Sequence, residues 1–134
     1  MNRDLTEMAK NIVKQSKGFI EANNYEVIKV EEHYCELLGT LTETSTNHLG
    51  AAHGGYIFGL ADTAAGIAAM TDGRTAVTIS SNIDYLKAAT TKTLKAIATC
   101  TKNGKTISFF EVKIYDDKDN LIADANINYC YIEK

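Results

Sequence analysis

The sequence predicts an α+β domain in which an antiparallel sheet wraps one very apolar helix, and three observations carry that expectation. The chain has 134 residues, of which 45% are hydrophobic and 23% charged, enough to build one core without disulfide or metal. Residues 55–71 are small or apolar on all sides, which marks a helix surrounded by protein rather than lying on a surface. From there almost to the C-terminus the chain is rich in β-branched and aromatic residues, interrupted by turn signals. The coarse order is helix, two strands, central helix, four strands, which one sheet around one helix satisfies.

The elements follow in order. Leu5, Met8, Ile12, Val13, Phe19 and Ile20 recur near helical spacing, so residues 1–23 read as an amphipathic helix packed on the domain. Asp4 is its candidate N-cap, Gly18 a candidate break and Asn23-Asn24 its stop. Val27, Val30, Tyr34, Leu37 and Leu41 lie among charged neighbours and suggest two strands joined near Glu31 to His33. Beyond the central helix, strands are expected at Thr75 to Leu86, at Thr93 to Lys102 and on either side of a turn at Asp117 to Asn120. Asn103-Gly104 is the strongest hairpin signal, because a type I′ turn needs positive φ at both central residues. The last three strands should form a meander. There is no repeat, linker or low-complexity tract, and residues 1–134 read as one domain.

Composition also restricts function. A formal net charge of -3 lacks the positive excess that non-specific nucleic-acid binding requires, so a small, diffusible partner is expected. Cys35, Cys100 and Cys130 form no C-x-x-C pair and have no histidine at metal-ligand spacing, so they read as core thiols in a reducing compartment. The first residues have no apolar core like that of a signal peptide, and the longest apolar run is too short to span a bilayer, so a cytoplasmic location is expected.

The chemistry concentrates around residues 47–70. Gly59, Asp62, Gly66 and Ala69 share one helix face on which Asp62 is the single charge, and such a face lets another backbone come close. A carboxylate buried there must find partners or give up its charge. His53-Gly54-Gly55 precede or open the helix, where backbone N–H groups lack intrahelical acceptors and the helix dipole is positive. Bare glycines there let a ligand carbonyl approach the main chain, an arrangement suited to an oxyanion hole. Gly54 and Asp62 are eight residues apart, roughly 12 Å along one helix at 1.5 Å per residue. They cannot both touch one carbonyl carbon. If both act on one substrate, a second copy of the chain must supply one of them, which predicts a symmetric homodimer with its sites at the interface.

Asn47-x-x-Gly50-x-x-His53-Gly54-Gly55, then Asp62 within an apolar helix, then Asn82 to Ala89 (NIDYLKAA), together resemble the PaaI-like branch of the hotdog-fold acyl-CoA thioesterases. The resemblance runs from about Tyr25 to the C-terminus. It implies a long helix wrapped by a curved antiparallel sheet, paired into dimers and often tetramers, hydrolysing acyl-CoA without metal or cofactor. On this resemblance Asp62 matches the catalytic carboxylate, as nucleophile or as general base, and Gly54 the residue whose N–H polarises the thioester carbonyl. Asn47 and His53 match the polar pair beside the thioester, and the counterpart of Asp62 comes from the subunit opposite the glycine turn. A Ser or Thr on the following strand holds the attacking water in some relatives; Thr78 is the first choice, with Ser80 and Ser81 close by. A thioester has a good leaving group, so a carboxylate suffices if the tetrahedral oxygen is stabilised.

Lys87, Lys92, Lys95, Lys102, Lys105 and Arg74 supply most of the local positive charge after the helix, and Lys87 is the best candidate for the phosphates of coenzyme A. His48 reads as a loop residue and His33 as a solvated turn residue. Tyr56, Phe58, Tyr85 and Phe109 are candidates either for an acyl pocket or for core. The related hydratases need Asp-x-Asn-x-x-His and the dehydratases a helix glutamate; neither is present. The competing function is a non-catalytic acyl-CoA-binding protein. The acyl group, and whether coenzyme A or acyl carrier protein bears it, stay open.

Overall fold

The computed structural model describes residues 5–15 and 18–132. The apolar run becomes a sixteen-residue helix, α3 (Gly54–Ala69), laid across a six-stranded antiparallel sheet. The strands are β1 (Tyr25–Glu31), β2 (Tyr34–Thr40), β3 (Thr75–Tyr85), β4 (Thr93–Asn103), β5 (Ile107–Asp116) and β6 (Leu121–Ile132), in the spatial order β1-β2-β4-β5-β6-β3. The meander β4-β5-β6 is as expected, and the helix packs against all six strands. This is the hotdog arrangement that the motifs imply.

Register explains how the sheet closes on the helix. Leu37, Ala96, Ile114 and Ala123 form one row across four strands, and Cys35, Ala98, Val112 and Ala125 the next, all fully buried. Alanines in the middle of both rows let the helix approach closely, while Leu60, Ile67 and Tyr56 fill the remaining depth. The imperfect alternation of the first hairpin has a local cause, a register shift between Val27 and Lys29.

At the N-terminus, α1 (Leu5–Gln15) and α2 (Phe19–Ala22) are separate, and Gly18 between them has φ 107°. The expected stop is present, with Asn23 donating through Nδ2 to the Phe19 carbonyl at 2.7 Å. Asp4 lies outside the described residues.

Two expectations are corrected. Asn103-Gly104 does not form a two-residue type I′ turn: Asn103 stays in β4, Gly104 is not left-handed, and the loop extends to Thr106. Arg74 holds the loop open by donating to the carbonyls of Gly104 and Lys105 and to the Asn103 side chain. Glycine is required at 104 for space, since a Cβ there would lie 2.3 Å from the Ile107 carbonyl oxygen. The small face of α3 likewise receives side chains of its own chain. A Cβ on Gly59 would meet Tyr25 Oη at 2.6 Å and Phe19 at 2.8 Å, and Gly66 lies beneath Tyr129.

Among the described residues β3 is an edge strand paired only with β6. Its free edge carries Val77, Ile79 and Tyr85, 44–51% exposed, and continues into Leu86 at 56%.

Candidate functional site

One half of the site is the turn that opens α3. Asn47 Oδ1 accepts from the N–H groups of Leu49 (2.9 Å) and Ala51 (3.2 Å), so this side chain braces the loop. His53 is the N-cap; its Nδ1 accepts from the Gly55 N–H at 2.8 Å, so a neutral ring carries its proton on Nε2. That bond occupies the Gly55 amide, one of the two glycine N–H groups expected to be open to a ligand carbonyl. The Gly54 N–H has no acceptor among the described residues. Tyr85 lies over it, its hydroxyl donating to the Gly54 carbonyl at 2.8 Å. Asn47, Gly54, Ile57, Tyr85, Lys87 and Ala89 line a cleft of about 390 Å³ here.

The other half is built around Asp62, one face of the helix further on. Its Oδ1 accepts from Thr78 Oγ1 at 2.8 Å and from Tyr129 Oη at 2.7 Å. Strand register brings these two hydroxyls together, because Thr78 and Tyr129 are direct partners across β3 and β6 and so share the face turned to α3. The register shift between Thr78 and Ser80 then turns Ser80 to the opposite face, where it accepts from Asn128 Nδ2 at 2.9 Å. Ser81 pairs with Ile127 and is exposed, with no bond to Asp62. Of the three hydroxyls weighed, Thr78 is the one on the carboxylate.

Asp62 is half-buried at the free edge of the sheet, and it does not line the cleft that holds Gly54. The helix between them is unbroken, so their roughly 12 Å separation stands.

Other candidates are placed differently from expectation. His33, expected to be solvated, sits at φ 56° with its Nε2 3.1 Å from Asp72 Oδ2, its side chain only 17% exposed. Arg74 is fully engaged: besides the loop oxygens it pairs with Asp72 Oδ2 at 2.7 Å and lies 3.4 Å over the Tyr131 ring. It therefore offers no free cation to a phosphate, although it borders a larger cleft of about 830 Å³ with Lys105 and Tyr131. Tyr56 is core, its hydroxyl donating to the carbonyls of Asn23 and Thr40. Phe58 is half-buried and Phe109 39% exposed, while Tyr85 lines the cleft. Cys35 is core, whereas Cys100 and Cys130 are half-buried. Among the described residues no group of three or more His, Cys, Asp or Glu could hold a metal ion, and no helix is long and apolar enough to cross a membrane.

Tyr129 was missed by sequence reading. The signal was available: in Ala123, Ala125, Ile127, Tyr129 the inward positions of β6 alternate, and a buried tyrosine must find a partner for its hydroxyl. What the sequence could not supply was the register that sets it beside Asp62.

A family model described as the thioesterase superfamily matches residues 49–123. The acyl-coenzyme A thioesterase PaaI of Escherichia coli is 29% identical over 104 residues, covering 77% of this chain and 74% of that protein. The solved structure of E. coli PaaI, from the phenylacetic acid degradation operon, superposes with a TM-score of 0.90 at 24% identity, covering 96% of this chain and 94% of its own. A hypothetical thioesterase of Streptococcus pneumoniae, solved with coenzyme A, superposes with a TM-score of 0.79 at 28% identity, covering 83% and 88%. That protein has also been solved with an aspartate, and with a threonine sixteen positions later, each replaced by alanine. Asp62 and Thr78 are likewise sixteen positions apart.

Proposed function

The chain belongs to the thioesterase superfamily, and from that premise we propose that it hydrolyses acyl-CoA thioesters in a homodimer, with Gly54 of one protomer and Asp62 of the other serving each site. The observation that carries the reading is the Asp62 carboxylate: half-buried, held by two hydroxyls, placed at an unpaired strand edge and out of reach of its own glycine turn. The exposed apolar residues of β3 support pairing of two copies along that edge, since an open edge of this kind is otherwise a liability.

The thioester carbonyl oxygen accepts from the Gly54 N–H, aided by the dipole of α3. Asp62 of the partner subunit then takes a proton from water as the water oxygen bonds to the carbonyl carbon, or attacks that carbon itself; Thr78 orients the water in the first route. Collapse of the tetrahedral species breaks the C–S bond; in the first route Asp62 returns the proton it took from water to the departing thiolate, and in the second the thiolate leaves unprotonated and the proton is supplied when water cleaves the anhydride. In the second route water then cleaves the mixed anhydride. In a single turnover in ¹⁸O-labelled water, label entering Asp62 identifies the second route with water attacking the aspartyl carbon of the anhydride. Asn47 and His53 brace the turn, and Lys87 at the cleft mouth meets the phosphates. The E. coli relative named as an acyl-coenzyme A thioesterase and the coenzyme A-bound streptococcal structure support this substrate class.

Complementation tests it. Asp62→Asn removes the base, and Gly54→Pro removes the oxyanion donor at a first helical position, where proline is tolerated and where His53 already has the extended conformation (φ −64°, ψ 140°) that precedes one. Each variant alone should lose about a thousandfold in kcat. Co-refolded mixtures should recover about a quarter of wild-type activity, because random pairing yields heterodimers with one intact site. No recovery from two folded, dimeric variants refutes the shared site. Asp62→Asn that still releases thiol refutes the chemistry, and wild type that binds acyl-CoA without thiol release marks the non-catalytic alternative.

A further inference from the structure

The mechanism uses one carboxylate oxygen, and the structure distinguishes the two. Both hydrogen bonds to Asp62 fall on Oδ1, from Thr78 Oγ1 and Tyr129 Oη, and Oδ2 receives none from the described residues. Tyr129 is 2% exposed, its ring edge-on to Phe110 with centroids 5.8 Å apart, and its hydroxyl also lies 2.8 Å from the Asp62 main-chain carbonyl oxygen. The phenol thus spans side chain and backbone of one residue, limiting rotation of the carboxyl group. Thr78 is exposed and sits on the edge strand, so the buried, well-packed member of the pair is the tyrosine. Burial, and then the Asp62 charge, push the Tyr129 phenol well above its ordinary pKa, so it remains a donor at any working pH.

We propose that Tyr129 is a positioning residue for the hydrolysis, fixing Asp62 through Oδ1 so that Oδ2 is the oxygen presented to water or to the thioester carbon. This rests on the reading of Asp62 given above. A hydroxyl donor binds an ionised carboxylate more strongly than a neutral one, so the bond that positions Asp62 is a charge-assisted one.

The test is the pH profile of kcat, read by thiol release from acyl-CoA. Tyr129→Phe keeps the ring against Phe110 and removes the donor; it should lower kcat about tenfold, the worth of one hydrogen bond to a charged group, leave KM within about twofold, and move the acid limb to higher pH. Incorporation of 3,5-difluorotyrosine at position 129 keeps both ring and hydroxyl but strengthens the donor, and should move the acid limb the opposite way. A role confined to packing moves neither limb. Wild-type kcat and an unmoved limb in folded Tyr129→Phe overturn the proposal, as does an unmoved limb in the difluoro protein should the Phe variant fail to fold. Asp62→Asn, assayed in parallel, keeps the two claims apart: its inactivity beside an unaffected Tyr129→Phe sinks the positioning role alone, whereas an active Asp62→Asn sinks the reading beneath it.

Discussion

Two alanine substitutions on one helix face should change stability in opposite directions. Gly59 and Gly66 are both interior positions of α3, where glycine costs about 1 kcal/mol relative to alanine. At Gly66 a Cβ would sit 3.8 Å from Tyr129, ordinary contact, so Gly66→Ala keeps that propensity gain and should raise Tm by about 3–5 °C. At Gly59 the same atom would fall 2.6 Å from Tyr25 Oη. Phe19, 58% exposed, can swing aside; Tyr25, 5% exposed, cannot. Its hydroxyl donates to the Tyr56 carbonyl at 2.7 Å, and its ring packs 5.1 Å from that of Tyr56. Making room costs about 1–3 kcal/mol in overpacking and about 1–3 kcal/mol for the buried Tyr25 hydroxyl left without its acceptor. Set against the propensity gain of about 1 kcal/mol, Gly59→Ala should lose about 1–5 kcal/mol, a fall in Tm on the order of 3–25 °C. The assay is thermal unfolding by circular dichroism at fixed protein concentration, because an oligomer's Tm depends on it. Adding Tyr25→Phe to Gly59→Ala removes the clashing oxygen and should narrow the loss attributed to position 59. If both single substitutions stabilise, or if the double variant shows no such relief, the packing argument is wrong.

Three further outcomes are expected. Asp72 is pulled upward by burial, but hydrogen bonds from Arg74 and His33 outweigh this and hold it down at about 2, against an ordinary 3.8. Because the folded value is the lower one, the stabilisation is complete above about pH 4 and fades as pH falls toward 2; Asp72→Asn should therefore lower Tm at pH 7 and converge on wild type through that window, as followed by thermal melts across pH. Lys87→Ala should raise KM for acyl-CoA several-fold with kcat unchanged, the difference shrinking at high salt in steady-state assays. Cys35 is fully buried, and burial together with Glu36 pushes its thiol up to about 12, so a thiol reagent at pH 8 should label Cys100 and Cys130 in the native protein and reach Cys35 only after unfolding, as read by peptide mass mapping.

The sequence by itself determined the elements and the half of the site whose chemistry is local. Periods of two and of 3.6 residues are written along the chain, so the all-round apolar α3, the strands and the meander were legible without coordinates. The glycine turn and the lone carboxylate were legible for the same reason, and so was their separation, since an unbroken helix converts residue number directly into distance. Tertiary structure decided whatever depends on which strands lie side by side. Register between β3 and β6 selects Thr78 over Ser80 and brings in Tyr129, sixty-seven residues from the carboxylate it holds. Packing turned the small face of α3 toward Tyr25 and Phe19 of the same chain, and hydrogen bonds to Asp72 engaged His33 and Arg74. A side chain's own identity sets what it can donate or accept; only the long-range pairing of strands sets which partner is within 3 Å of it.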